Sequence, residues 1–298
     1  MRVRTLSSIG TALFLSLGVA ACGGDSTTDT PAAEGEPSVA AEATFEAGTT
    51  MAELSEAGTI RVGTKFDQPL FGLRGLSGEP EGFDVEIAKI IAAELGIEPD
   101  GIEWTETPSA IREEVLEQDR VDMVVATYTI NDRRKERISF AGPYYQAGQD
   151  LMVAADNTTI TGPESLREVG ARVCSVQGST PAETVREYVD EANITLFDVY
   201  SKCADALRTG QVDVVTTDNV ILLGLVDDSE GAFKLVGQPF TEEPYGIGIP
   251  KGDVAFCEFI NETLTAAAED GRYEEAWTST AGTVADEVPE LPELGTCS

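Results

Sequence analysis

From about residue 49 onward, apolar residues fall into two alternating textures, short unbroken runs and longer stretches with a helical repeat. Ile60-Arg61-Val62-Gly63-Thr64 follows a glycine-containing turn and reads as a strand. Over 84–95, Val85, Ile87, Ala88, Ile91 and Leu95 share one face, widened by Ile90, which predicts a helix. Asp84 is placed to cap its start, and Gly96 to end it in the left-handed conformation. A second helix is expected over 109–118. The continuous apolar run 121–127 is that of a strand covered on both faces. The alternation then returns, with strands at 172–176, 195–199 and 212–216 and helices at 181–192 and 201–209. Pro181 suits the first turn of its helix. Apolar segments at 218–225 and 233–236, a strand at 246–249 and a long helix at 253–269 complete the pattern.

Strands alternating with helices imply an α/β fold with mainly parallel sheets. The pattern runs twice in series, and 298 residues are enough for two compact domains. The N-terminus has a different texture. Arg2 and Arg4 precede an apolar stretch from Ile9 to Ala21, too short for an ordinary membrane span, so residues 1–21 read as an export signal. Val19-Ala20-Ala21-Cys22-Gly23 resembles a bacterial lipobox, in which Cys22 becomes the lipidated first residue. The segment 22–50 is rich in Gly, Ser, Thr, Pro, Ala and Glu and reads as a flexible tether.

Charge narrows the partners. The chain holds 53 acidic against 20 basic residues, a formal charge of −33. Loss of the signal would remove Arg2 and Arg4 and no acid, leaving 18 basic against 53 acidic residues, a charge near −35. Such a balance argues against nucleic acid and against anionic lipid surfaces as partners. Cys174, Cys203, Cys257 and Cys297 in an exported chain suggest two disulfides. Three pairings are possible. Cys174–Cys203 with Cys257–Cys297 is favoured because each pair sits in one sequence region, and each closed loop would contribute roughly 3–4 kcal/mol. The absence of histidine and of C-x-x-C argues against a metal site, and nothing calls for a cofactor.

Four motifs carry a resemblance. They are Gly82-Phe83-Asp84-Val85-Glu86-Ile87; the run from Val121 through Thr127-Tyr128-Thr129-Ile130-Asn131 to Arg134, followed by Phe140-Ala141-Gly142-Pro143-Tyr144; Gln177-Gly178-Ser179-Thr180; and Thr216-Thr217-Asp218. In order and spacing, from about residue 50 to 280, the chain resembles the family 3 extracellular solute-binding proteins. Within them it is closest to the glutamate-binding lipoproteins of actinobacterial importers. The resemblance implies the two-lobe, type 2 periplasmic-binding-protein fold with two hinge strands. Residues 51–148 would form the first part of lobe 1, 149–245 lobe 2, and 246–298 the return to lobe 1 and the C-terminal helix and tail. The chain would cross near 148–153 and return near 245–249.

The resemblance also implies a site for a free amino acid. A zwitterion needs a guanidinium fork and hydroxyl or backbone donors for its carboxylate. Arg134, Thr129 and Thr180 fill those positions, with Thr127, Gln177 and Ser179 beside them in the same motifs. Its ammonium needs acceptors, for which Asp218 and the carbonyl of Ala126 are the expected groups, although Asp218 could instead cap a helix. Lys65 stands where relatives that take cationic or amide cargo carry an aspartate, so an acidic side chain is favoured. Arg112 is a second candidate for that role. Phe66 and Tyr128 are candidates to cover the cargo's apolar stem, and Tyr128 could equally be core. The implied function is a monomeric, lipid-anchored binding protein without catalysis, on the extracytoplasmic membrane face. It would deliver L-glutamate or L-aspartate to the permease and ATPase of an ABC importer. Glutamine or asparagine cargo, a dehydratase-like enzyme on the same fold, and a ligand-sensing subunit are the alternatives.

Overall fold

The computed structural model describes residues 38–40, 43–285 and 287–298. The expected signal, Cys22 and most of the expected tether lie outside them.

The described chain opens with α1 (Thr50–Ala57), whose N-cap Thr49 accepts a hydrogen bond from the Ala52 N–H through its hydroxyl. β1 (Ile60–Thr64) buries Ile60 and Val62 completely. β2 (Asp67–Gln68), β3 (Gly72–Arg74) and β4 (Pro80–Glu81) make a small antiparallel sheet of their own. α2 (Phe83–Glu94) follows the predicted stripe, with Val85, Ile87, Ala88 and Ile91 buried, and Gly96 lies beyond its end at φ +76°. Its start corrects the expectation: Gly82 occupies the cap position without a side-chain bond, and Asp84 is fully buried with other partners. β5 (Ile102–Glu106) is followed by a 3-10 turn, Ser109–Ile111, and by α3 (Arg112–Glu117). β6 (Met123–Val124) is much shorter than the run 121–127, because the backbone turns to φ +43° at Thr127 and leaves the sheet. α4 (Asp132–Lys135) and β7 (Ser139–Ala147) follow.

Through Gly148 the chain enters β8 (Gln149–Ala154). There follow α5 (Pro163–Val169), β9 (Val173–Val176), α6 (Thr180–Thr184), β10 (Ile194–Phe197), α7 (Tyr200–Arg208), β11 (Val214–Asp218), α8 (Asn219–Asp227) and β12 (Phe233–Leu235). The helix expected over 181–192 is broken. After α6 it tightens into a 3-10 turn, Val185–Glu187, and only a second turn, Glu191–Asn193, precedes β10. Thr184, Val185 and Val189 are β-branched and lower helix propensity there. The chain then returns in β13 (Glu243–Ile249) and ends with α9 (Val254–Asp270), α10 (Arg272–Thr278) and the C-terminal segment.

The two larger sheets share one plan. Their orders are β5-β1-β6-β13-β7 and β10-β9-β11-β8-β12. In each, the first three strands are parallel and the last two pair antiparallel. The expectation of mainly parallel pairing therefore holds for three strands of each sheet. The antiparallel strands β7, β8 and β13 are those through which the chain passes between the sheets. Helices cover both faces of each sheet and generate separate apolar clusters, one holding Phe71, Phe83 and Trp277, another Cys174, Tyr200 and Leu222. The favoured cysteine pairing is present: Cys174–Cys203 ties β9 to α7, and Cys257–Cys297 ties α9 to the C-terminal segment.

Candidate functional site

The chemistry-bearing residues gather at the carboxyl ends of the parallel strands, where open α/β sheets form crevices. Lys65 follows β1, Ala126 to Thr129 follow β6, Gly178 to Thr180 follow β9, and Asp218 ends β11. The two sheets thus face each other through these ends. Arg134 spans the seam: one guanidinium nitrogen donates to the Thr129 carbonyl at 2.5 Å and another to the Gly178 carbonyl at 3.1 Å. The hydroxyls of Thr129 and Thr180 lie 3.3 Å apart across it. Gly178, at φ +79°, comes so close to the Ser109–Ala110 turn that an added Cβ would meet the Ala110 Cα at 2.7 Å, so no larger residue fits this seam.

Three cations are buried together. Lys65, Arg112 and Arg134 are 3%, 2% and 1% exposed. Lys65 Nζ donates to Ser109 Oγ at 2.8 Å. Arg112 donates to the carbonyls of Ala126 (3.0 Å) and Thr127 (3.1 Å). Both guanidinium groups lie against the Tyr128 ring, 4.2 Å and 5.0 Å from its centroid. Burial, followed by the positive charge of Arg112, pulls the Lys65 ammonium down to about 7, and the same causes pull Arg134 down to about 10. Such a cluster gains from an incoming anion.

Buried carboxylates complete the cluster, Asp84, Asp218, Glu113 and Glu243 among them. Asp84 accepts from the Thr127 N–H at 2.7 Å and from the Tyr144 hydroxyl at 2.5 Å. A β-branched residue at positive φ is strained, and Asp84 holds Thr127 in that conformation. Asp218 accepts from the Tyr245 hydroxyl at 2.6 Å through one oxygen; its other oxygen is buried without a partner among the described residues. Asp218 sits at the N-cap position of α8 but makes no side-chain cap bond, so the capping alternative is not realised. Burial raises the Asp84 and Asp218 carboxyls to about 7, with Glu243 adding to the shift of Asp218. The Arg112 Nε atom, Gln68 Nε2 and the Thr64 and Thr217 hydroxyls are likewise buried without a hydrogen-bond partner among the described residues, whereas Arg134 Nε faces the Glu113 carboxylate at 3.4 Å. Buried polar atoms are nearly always satisfied, and a cluster of unsatisfied ones marks room for a polar guest.

Several expected residues are placed otherwise. The Ala126 carbonyl already accepts from Arg112 at 3.0 Å, which engages one of its two lone pairs. Gln177 is exposed, being carried past the end of β9. Ser179 caps α6, accepting from the Ala182 N–H and donating to the Val176 carbonyl. Phe66 is half-buried beneath Arg74 and lines a groove with Ser201 and Arg208. Tyr128 packs against Phe140 and carries the two guanidinium groups, which is the core role. Thr180 donates to Glu243 at 2.7 Å. Gln68, Ser109, Asp84 and Glu243 were not singled out for the site by sequence. Asp84 was visible in its motif, where a cap reading competed; Gln68 in the two-residue β2, Ser109 in its 3-10 turn and Glu243 at the start of β13 carry no local signal.

Two sheets of one plan, joined by crossing strands and enclosing a charged crevice at their facing ends, define a two-lobed binding protein of the type 2 periplasmic class. A model of the bacterial extracellular solute-binding proteins, family 3, matches residues 60–279, and the chain belongs to that family. It is 40% identical over 246 residues to the glutamate-binding protein GluB of Corynebacterium efficiens, covering 80% of this chain and 83% of that one. It is 39% identical over 229 residues to the ABC transporter glutamine-binding protein GlnH of Bacillus subtilis, covering 76% and 83%. Among solved structures, an ancestral arginine-binding protein bound to glutamine superposes with a TM-score of 0.70 at 34% identity, covering 75% of this chain and 97% of that one.

Proposed function

We propose that this chain is the cargo-binding subunit of an ABC importer for polar amino acids, with L-glutamate or L-aspartate as cargo. The observation that carries the reading is the burial of Lys65 beside Arg112 in the crevice, where a second negative charge on the cargo stabilises both. Arg134, with the Thr129 hydroxyl and the Thr180 backbone N–H, would hold the α-carboxylate. The open oxygen of Asp218 would accept from the ammonium. Lys65, Arg112 and the unpartnered amide of Gln68 would take the side-chain carboxylate. The cargo contacts both lobes and so shifts the protein toward its closed form, which a separate permease and ATPase then receive. Relatives named as binding proteins support a role without catalysis. Lipidation of Cys22 would keep this monomer at the extracytoplasmic membrane face.

A second reading, glutamine or asparagine as cargo, is supported by the nearly equal similarity to the glutamine-binding relative. Calorimetric titration of protein unfolded and refolded to strip bound cargo separates the two. Glutamate is expected at a Kd of about 1 μM or tighter, roughly −8 kcal/mol, with glutamine at least about tenfold weaker. Tighter binding of glutamine or of a cationic amino acid overturns the cargo. Binding of no amino acid overturns the class of cargo.

A further inference from the structure

Helix α7 begins without a cap of its own. Its N-cap residue is Val199, which makes no side-chain bond, yet a helix start leaves backbone N–H groups that need acceptors. The first two, on Tyr200 and Ser201, donate to one carboxylate oxygen of Asp67 at 2.8 and 3.3 Å. Asp67 is 133 residues earlier in the chain, in β2, whose sheet partner is β3 rather than any strand of the second large sheet. The carboxylate of one lobe therefore caps a helix of the other. A carboxylate suits that position twice, as an acceptor and as a negative charge at the positive end of a nine-residue helix.

The placement couples this contact to the crevice from both sides. On one side, Asp67 lies between Lys65 and Gln68, so a single short segment carries two crevice groups and the cap. On the other, Cys174–Cys203 ties α7 to β9, whose end leads into Gly178, Ser179 and Thr180. We propose that Asp67 is an interlobe latch: it forms its two bonds only when the lobes close, and it sets the lifetime of the closed complex without touching the cargo. The inference rests on the reading of this chain as a binding protein that closes on an amino acid. A latch contributes equally for every cargo, whereas a crevice residue discriminates among them.

The test compares Asp67→Ala with Asp67→Ala/Val199→Ser, titrated with each amino acid that the unmodified protein binds. The Val199→Ser change in the double variant would restore a cap within the helix while leaving the lobes unlinked. A lost latch should weaken every cargo by the same factor, about tenfold, the size of a lost helix cap. The change should fall in the dissociation rate, leave the ratio between cargoes unchanged, and persist in the double variant. Unchanged affinity, or a loss that Val199→Ser recovers, overturns the latch. Amide exchange provides a second arm: in the unmodified protein the Tyr200 and Ser201 N–H groups should gain protection on adding cargo, and equal exchange with and without it also overturns the proposal. Failure of the cargo reading is distinguishable, because the unmodified protein then binds no amino acid. In that case the latch is overturned together with the reading on which it rests.

Discussion

An ammonium buried beside a guanidinium is unfavourable unless something negative joins it, and among the described residues Lys65 meets only the Ser109 hydroxyl at hydrogen-bond distance. The side-chain carboxylate of an acidic cargo would supply that partner. Lys65→Ala should therefore weaken glutamate by about 2 kcal/mol or more, some thirtyfold, and glutamine by much less; equal losses in paired titrations would remove Lys65 from cargo selection. The same pair makes affinity pH-dependent with a sign that can be worked out. In the free protein Lys65 lies at about 7, and a cargo carboxylate raises it, so binding takes up a proton above that value and affinity falls as pH rises. Asp218 also lies at about 7 in the free protein, and the cargo ammonium lowers it. Binding then releases a proton below that value, and affinity falls as pH drops. Titrations of glutamate from about pH 5.5 to about 8.5 should show a maximum near neutrality, with each limb losing at most about tenfold per pH unit. Glutamine should retain only the acid limb, and an alkaline limb of equal size for glutamine would contradict this assignment. At this scale Arg134 and Asp218 were singled out through the family resemblance of their motifs, and both lie buried in the crevice. Asp67, Gln68 and Glu243 were not singled out. Their partners are Tyr200, Thr127 and Thr180, each remote in the chain, and only the closed fold brings them together.

Elements were legible where one periodicity ruled and were misjudged where a functional bend interrupted it. α2 followed its apolar stripe and ended at Gly96. The strand over 121–127 was cut to β6 because Thr127 turns away to present its backbone to Asp84 and Arg112, a tertiary cause invisible to an apolar run. α6 stopped early through its β-branched residues, a local cause that the apolar pattern outweighed. The C-terminal segment had no periodicity at all, yet it is fastened. The Gly295 N–H donates to the Gly142 carbonyl at 2.7 Å, Asn261 donates to the Gly295 carbonyl at 3.1 Å, and Leu291 and Leu294 pack on the core of the first sheet. Cys257–Cys297 closes this strap. Replacing both cysteines by serine should cost roughly 3–4 kcal/mol of stability, lowering the melting temperature by about 5–15 °C. The strap lies on β7 and α9 rather than at the strand ends of the crevice, so calorimetry at 25 °C should find cargo affinity within about twofold of the parent. A melting temperature that does not move would assign the fastening to the hydrogen bonds and apolar contacts alone.

At the scale of the whole molecule the dominant quantity is charge. With 53 acidic and 20 basic residues, at least 33 carboxylates have no cation to pair with one to one. Some of the cations present are also withdrawn from the surface, since Lys65, Arg112 and Arg134 are buried in the crevice. Two opposed effects of salt follow. Screening weakens surface pairs such as Arg172–Asp213 and Lys202–Asp198, but each of these contributes only about 0–1 kcal/mol. Screening also weakens repulsion among the unpaired carboxylates, which acts over the whole surface and is relieved when the chain unfolds and expands. The second effect involves many more charges and should win. The melting temperature should therefore rise as sodium chloride is increased from about 0.05 M to about 1 M, over which the screening length falls from above 10 Å to about 3 Å. Chloride is the anion to use, because sulfate would add a separate stabilisation by exclusion from apolar surface. The rise should be steepest at low salt, where repulsion is least screened, and should flatten once the screening length is shorter than the spacing between neighbouring carboxylates. A melting temperature that falls across the same range would mean that the few surface pairs outweigh the acidic excess.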